Sequence, residues 1–138
     1  ALEPAINLDQ FPNTVVDVFI IIPQADAGTR CAGITAAAMA LADAGIPMRD
    51  LVGAVSVGKV NGKIAVDLSK EEEDYEETTD MPIAMMARSS EITLLQLDGD
   101  MSDNDIKEAV ILAKEAINKI NELQKKALKD RYREIKND

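Results

Sequence analysis

The stretch LVGAVSVGKVNGKIAVDLS, residues 51–69, consists of two strand-like runs joined by Asn61-Gly62. Asn-Gly between two apolar segments is the strongest short hairpin signal, because the favoured two-residue turn needs positive φ at both central positions and these residue types tolerate it. The next apolar stretch, DMPIAMMARSSEITLLQLDGD (80–100), reads as two more strands with a turn near Arg88-Ser89-Ser90. A four-stranded, mainly antiparallel sheet is the expectation.

Upstream of the hairpin, TVVDVFIIIPQ (14–24) is β-branched and aromatic with one charge, Asp17, and reads as a largely buried strand ended by Pro23. DAGTRCAGITAAAMALADAGIP (26–47) follows, an Ala-rich helix closed by Gly45 and Pro47. Downstream, a long helix runs from Ser102. Its apolar stripe is Ile106, Ala109, Val110, Ala113, Ile117, Ile120, Leu123, Ala127 and Leu128, at three- and four-residue spacing. Ser102 with Asp105 resembles a capping box, and Lys125, Lys126, Lys129, Arg131, Arg133 and Lys136 gather at the end where cations favour the helix dipole. The order βα, four β, then α predicts an α+β fold with helices against one sheet face.

The 138 residues fit one domain, and 46% hydrophobic with 29% charged residues marks a folded chain, not a disordered one. With 3% aromatics and no Trp, an aromatic platform for single-stranded nucleic acid is disfavoured. A net charge of −10 argues against electrostatic binding of nucleic acid by this chain alone. The acidity is concentrated: residues 60–100 carry eleven acids and three bases, residues 101–138 eight and nine. One cysteine and no histidine exclude an intramolecular disulfide and a zinc-type cluster, so a reducing, cytoplasmic setting is expected. The apolar runs are too short to span a bilayer. The first residue is Ala1, which suggests processing, trimming or a fragment.

Two constellations have chemical potential. EEEDYEETTDMP (71–82) packs seven carboxylates into Glu71–Asp80. Asp74 and Asp80 would stand roughly 20 Å apart on an extended strand and meet only if the loop folds back. Such a pair suits Mg²⁺, which takes one or two protein carboxylates; the other reading is a solvated acidic loop. DAGTRCAG (26–33) places Gly28, Thr29 and Arg30 at a helix start, where backbone N–H groups, a hydroxyl and a guanidinium suit phosphate. The alternative there is an ordinary helix start with Arg30 reaching to solvent. Cys31 reads as a small buried hydrophobe, and the six Met residues as core filler.

Taken together, DVFIIIPQADAGTRCAGITAAAMALADAGIPMRDLVGAVSVG, VDLSKEEEDYEETTDMPIAMM and EITLLQLDGDMS resemble the RNase PH family, and within it the catalytic RNase PH-like subunits of archaeal exosomes. The resemblance covers nearly all of residues 1–138, which it identifies as the C-terminal portion of an RNase PH-like domain whose N-terminal portion is absent from this chain. It implies a phosphorolytic 3′-to-5′ exoribonuclease that uses inorganic phosphate to release nucleoside diphosphates from RNA. It implies that Gly28, Thr29 and Arg30 bind the attacking phosphate. Asp74 and Asp80 become the catalytic, Mg²⁺-linked pair, with Asp80 the general acid and Asp74 chiefly a metal ligand.

The implied partners are RNA, a non-catalytic RNase PH-like paralogue in a hexameric ring and RNA-binding cap subunits; the missing half is either a separate chain in the same assembly or was lost because this chain is a fragment. This chain departs from the family where relatives often have Gly before the second aspartate; here the stretch is YEETT. Two other readings compete: a non-catalytic subunit or inactive fragment retained for ring assembly, and a small acidic cation-binding domain.

Overall fold

A computed structural model describes residues 1–135. Two short 3-10 turns, Glu3–Ala5 and Leu8–Gln10, precede helix α1 (Thr29–Asp43). Strands β1 (Val52–Val60) and β2 (Lys63–Val66) follow, then a single helical turn, α2 (Lys70–Glu73). Strands β3 (Met81–Met86) and β4 (Ile92–Leu95) and helix α3 (Asp103–Ile135) complete the order. The sheet is wholly antiparallel with order β2-β1-β3-β4. The hairpin turns at Asn61 (φ 51°) and Gly62 (φ 73°), both left-handed as the Asn-Gly signal requires. Ser90, in the predicted second turn, is also left-handed (φ 59°).

The helices lie on both faces of the sheet, which corrects the one-face expectation. Side chains alternate along a strand, so β1 and β3 each offer two faces. Val55, Val57, Met81, Ile83 and Met85 pack against Met101, Ala109, Ala113 and Ile117 of the α3 side. Val52, Ala54, Ala84 and Met86 pack against Cys31, Ile34 and Ala38 of α1. Strands buried on both faces lose the polar-apolar alternation, and Val52–Val57 and Met81–Met86 are buried throughout. Four of the six methionines, Met81, Met85, Met86 and Met101, are core residues as expected.

Two further expectations change. Residues 14–22 form no strand with a ladder partner among the described residues, and they are not buried. Outward residues Val15, Phe19 and Ile21 are 82%, 87% and 84% exposed, whereas Val16, Val18, Ile20 and Ile22 are 41–50% exposed. This two-residue alternation is that of an extended segment lying with one side on the body, where Ile20 meets α1 at Gly33. β-propensity marks the shape of the run but supplies no partner strand.

The α3 stripe also rotates after Ile117. Leu123 and Ala127 are exposed, while Asn121 and Gln124 are buried. Gln124 Nε2 donates to Val52 O (3.0 Å) and Thr35 O (3.2 Å). The helix there passes main-chain carbonyls at the seam between α1 and β1, so an amide suits the position better than a leucine. Lys136, the last of the C-terminal cations, lies outside the described residues. Among those residues no helix is long and apolar enough to cross a membrane.

The capping box of α3 forms as expected: Asp105 N–H donates to Ser102 Oγ (3.2 Å) and Ser102 N–H to Asp105 Oδ2 (3.2 Å). Asp105 Oδ2 also accepts from Lys59 Nζ at 2.7 Å, tying the helix start to β1. These hydrogen bonds, the one from Lys59 foremost, hold the Asp105 carboxyl below its ordinary value of 3.8. A lowered native pKa stabilises the fold above the unfolded value and loses that contribution as pH falls through the native one. Asp105→Asn is therefore expected to lower Tm at pH 7, with the gap from the unsubstituted chain closing in acid below 3.8. Gly58→Ala would place a β-carbon 1.9 Å from the Thr79 carbonyl oxygen. A loss of at least ~3 kcal/mol in urea unfolding is expected, because backbone and not a flexible side chain must move.

Candidate active site

Strand parity decides which polar groups meet. Ser56 lies on the face of β1 that carries Ala54, and Asp80, one residue before β3, lies on the face that carries Ala84 and Met86. Both point to the side covered by α1. Asp80 is pinned by its backbone, donating to Asp98 O (2.9 Å) and accepting from Asp98 N (2.8 Å). Its neighbour Thr79 is buried; the Thr79 N–H donates to Lys59 O (3.2 Å) and its Oγ1 accepts from Lys59 N–H (2.9 Å). The Ser56 hydroxyl donates to Asp80 Oδ1.

Helix α1 begins over this strand pair. Gly28 is its N-cap with φ +62°, a left-handed conformation that glycine adopts without cost. Ala32 N–H makes the first helical bond, to Gly28 O, so the Thr29, Arg30 and Cys31 N–H groups precede the ladder and suit an anion. Arg30 is exposed, as the ordinary helix-start reading has it, and its guanidinium bonds Gln96 Oε1, just past β4. A cavity of about 150 Å³ opens between these parts, lined by Gly28, Thr29, Arg30, Ser56, Glu73 and Asp80 among others. Glu73 and Asp80 also line an adjoining cavity of about 290 Å³ with Lys70, Thr78, Thr79 and Asp98.

The acidic segment is neither wholly loop nor wholly site. Ser69 and Glu72 form a reciprocal capping box, so Lys70–Glu73 is a helical turn whose carboxylates sit at its favourable N-terminal end. Asp74 ends this turn and pairs with Lys70 Nζ at 2.6 Å, and that carboxylate holds Lys70 above the usual lysine range. The structure thus brings Gly28, Thr29, Arg30 and Asp80 to one cavity, while Asp74 is not among its lining residues and Glu73 is. Among the described residues no group of three acidic or cysteine side chains stands close enough to hold a metal by itself.

Burial, with a contribution from Asp80 that Arg30 partly offsets, pushes the Cys31 thiol up to about 11. It is a neutral core group at pH 7, as expected.

Ser56, Glu73 and Gln96 were not singled out by the sequence reading. Ser56 carries a signal: it is the one polar side chain in the run Val52–Val57. The Ser69-x-x-Glu72 pattern likewise marks the start of the helical turn. Nothing local marks Gln96.

Comparison with known proteins assigns residues 1–47 to the 3′ exoribonuclease family, domain 1, and residues 50–116 to the same family, domain 2. The exosome complex component Rrp41 of Thermococcus gammatolerans is 54% identical over 135 residues, 98% of this chain. That of Pyrococcus furiosus is 55% identical over the same share. That of Methanopyrus kandleri is 53% identical over 132 residues. The chain spans 54% of the length of the first two and 55% of the third. The crystal structure of rice (Oryza sativa) Rrp46 shares the fold, with TM-score 0.69 and 24% identity over 75% of this chain and 49% of that one.

Glu77 sits between the helical turn and Asp80 with φ +63°, in the left-handed region where a β-carbon is disfavoured. Glu77→Gly removes that cost together with one carboxylate of the cluster. It is expected to raise stability by about 0.5–1 kcal/mol in urea unfolding beyond Glu77→Ala, which removes the same carboxylate but keeps the β-carbon.

Proposed function

Because the chain belongs to the 3′ exoribonuclease family, the RNase PH family, we propose that the cavity under α1 is a site of phosphorolytic 3′-to-5′ RNA degradation. The observation that supports this is the meeting of a helix start with a carboxylate: Gly28, Thr29 and Arg30 line one small cavity together with Asp80. Inorganic phosphate would sit against the N–H groups of the first turn of α1, with the Arg30 guanidinium adding charge. Phosphate needs no general base to become a nucleophile, so the protein's task is placement and charge stabilisation.

A phosphate oxygen attacks the terminal phosphodiester phosphorus and the bond to the 3′-oxygen breaks. The products are a nucleoside diphosphate and RNA shortened by one residue. Asp80, which lines the same cavity, would hold the proton that the departing 3′-oxygen takes up. Asp80 and Glu73, which line both cavities, would hold Mg²⁺, an ion that takes one or two protein carboxylates. Bound there, the ion would neutralise charge on the transferring group. Asp74, one residue from Glu73, is the other candidate ligand if it leaves Lys70.

The exposed apolar residues of 15–22 favour work within an assembly. The proposed partners are RNase PH-like subunits in a ring, RNA-binding cap subunits, and polypeptide supplying the rest of the relatives' length.

Phosphate-dependent release of nucleoside diphosphates by the assembled particle is the expected result. Monophosphates, or products indifferent to phosphate, would overturn the reading. Asp80→Asn is expected to cut kcat by at least about 10²-fold without dissociating the particle. Glu73→Gln and Asp74→Asn compared at limiting Mg²⁺ identify the second carboxylate as the one whose loss raises the Mg²⁺ requirement.

A further inference from the structure

We propose that Ser56 is a positioning residue for the Asp80 carboxylate, and that it acts on the chemical step and not on phosphate capture. This rests on the phosphorolysis reading of the same cavity. Ser56 is only 3% exposed and lies in the middle of the central strand, where every neighbour in Val52–Val57 is apolar. A hydroxyl there needs a partner, and the one it has among the described residues is Asp80 Oδ1.

The backbone on either side of this hydroxyl is held by pairing. Ser56 pairs with Pro82 in the β1–β3 ladder, and its carbonyl accepts from Asp67 N–H at 2.8 Å. The hydroxyl is thus a fixed donor that holds Asp80 Oδ1. It leaves Oδ2 as the carboxylate oxygen without a hydrogen bond among the described residues, and Ser56 and Asp80 line the cavity together. Of the two rotational freedoms of an aspartate, this removes the one that decides which oxygen meets the reacting group. Arg30 is held separately, by Gln96. The two halves of the site therefore have independent supports, which predicts that their kinetic signatures separate.

The test uses the assembled particle, with phosphate and RNA varied separately. Ser56→Ala is expected to lower kcat about tenfold while KM for phosphate stays within about twofold. Ser56→Thr, which keeps a hydroxyl on a β-favouring side chain, is expected to recover most of the lost kcat. Thermal melting fixes the folded fraction, so that kcat is counted per folded subunit. If the Thr side chain is not accommodated, the split between kcat and KM in Ser56→Ala still decides. Wild-type kcat in Ser56→Ala, or a raised KM for phosphate with kcat unchanged, overturns the proposal alone. An unsubstituted particle indifferent to phosphate overturns the reading of the cavity and the proposal with it.

Discussion

A β-carbon on residue 58 would lie 1.9 Å from the carbonyl oxygen of Thr79, and the rest of the site depends on its absence. Gly58 lets the chain that leaves the acidic segment run directly against β1 before it becomes β3. Gly99 closes the other side, where a β-carbon would meet Thr79 Cγ2 at 2.8 Å. Thr79 is thereby held between two glycines, with its N–H and hydroxyl oxygen bonded to the Lys59 backbone. Asp80, the next residue, inherits that fixed position. A carboxylate at the end of a self-repelling loop would otherwise move with the loop, and positioning within a fraction of an ångström is what catalysis asks of such a group.

The same economy governs the charge. Seven carboxylates in ten residues repel one another, yet each end of the segment is secured differently. At the start, the Ser69–Glu72 capping box and the helix end absorb the glutamates, and Lys70 takes Asp74. At the finish, Asp80 is held by Ser56 and by the Asp98 backbone. The carboxylates left facing the two cavities are Glu73 and Asp80, with Asp26 at the small one and Asp98 at the second. Arg30 lines the small cavity too, so it carries both signs of charge, which suits an anion that must be brought to a carboxylate or to an ion held by one.

The extended run 14–22 has the composition of a buried strand and becomes neither a strand nor buried. Its residues have strand character, and their alternation on the body is that of a strand. Burial, however, is a property of the partner as much as of the run: an apolar strand with no ladder neighbour keeps its outer side chains in water. The α3 stripe errs in the opposite direction. Asn121 and Gln124 look like surface residues and are buried; Gln124 is there because the helix faces main-chain carbonyls that its amide can bond.

Local chemistry alone therefore determined a good part of this protein. The Asn61-Gly62 turn, the four strands, the Ala-rich helix, the capped C-terminal helix and the Gly28-Thr29-Arg30 helix start all depend on neighbours within a few residues, and all were legible. The family motifs added Asp74 and Asp80, six residues apart. Only the tertiary structure decided which carboxylates share a cavity with the helix start. Helix α2 and its ion pair turn Asp74 to Lys70 and leave Glu73 with Asp80. It also placed Ser56 and Gln96 beside the site residues, since strand register and sheet order set those contacts across 24 and 66 residues of chain. A sequence specifies which groups are available; which of them meet depends on pairing between strands, where a shift of one residue would turn Ser56 to the opposite face.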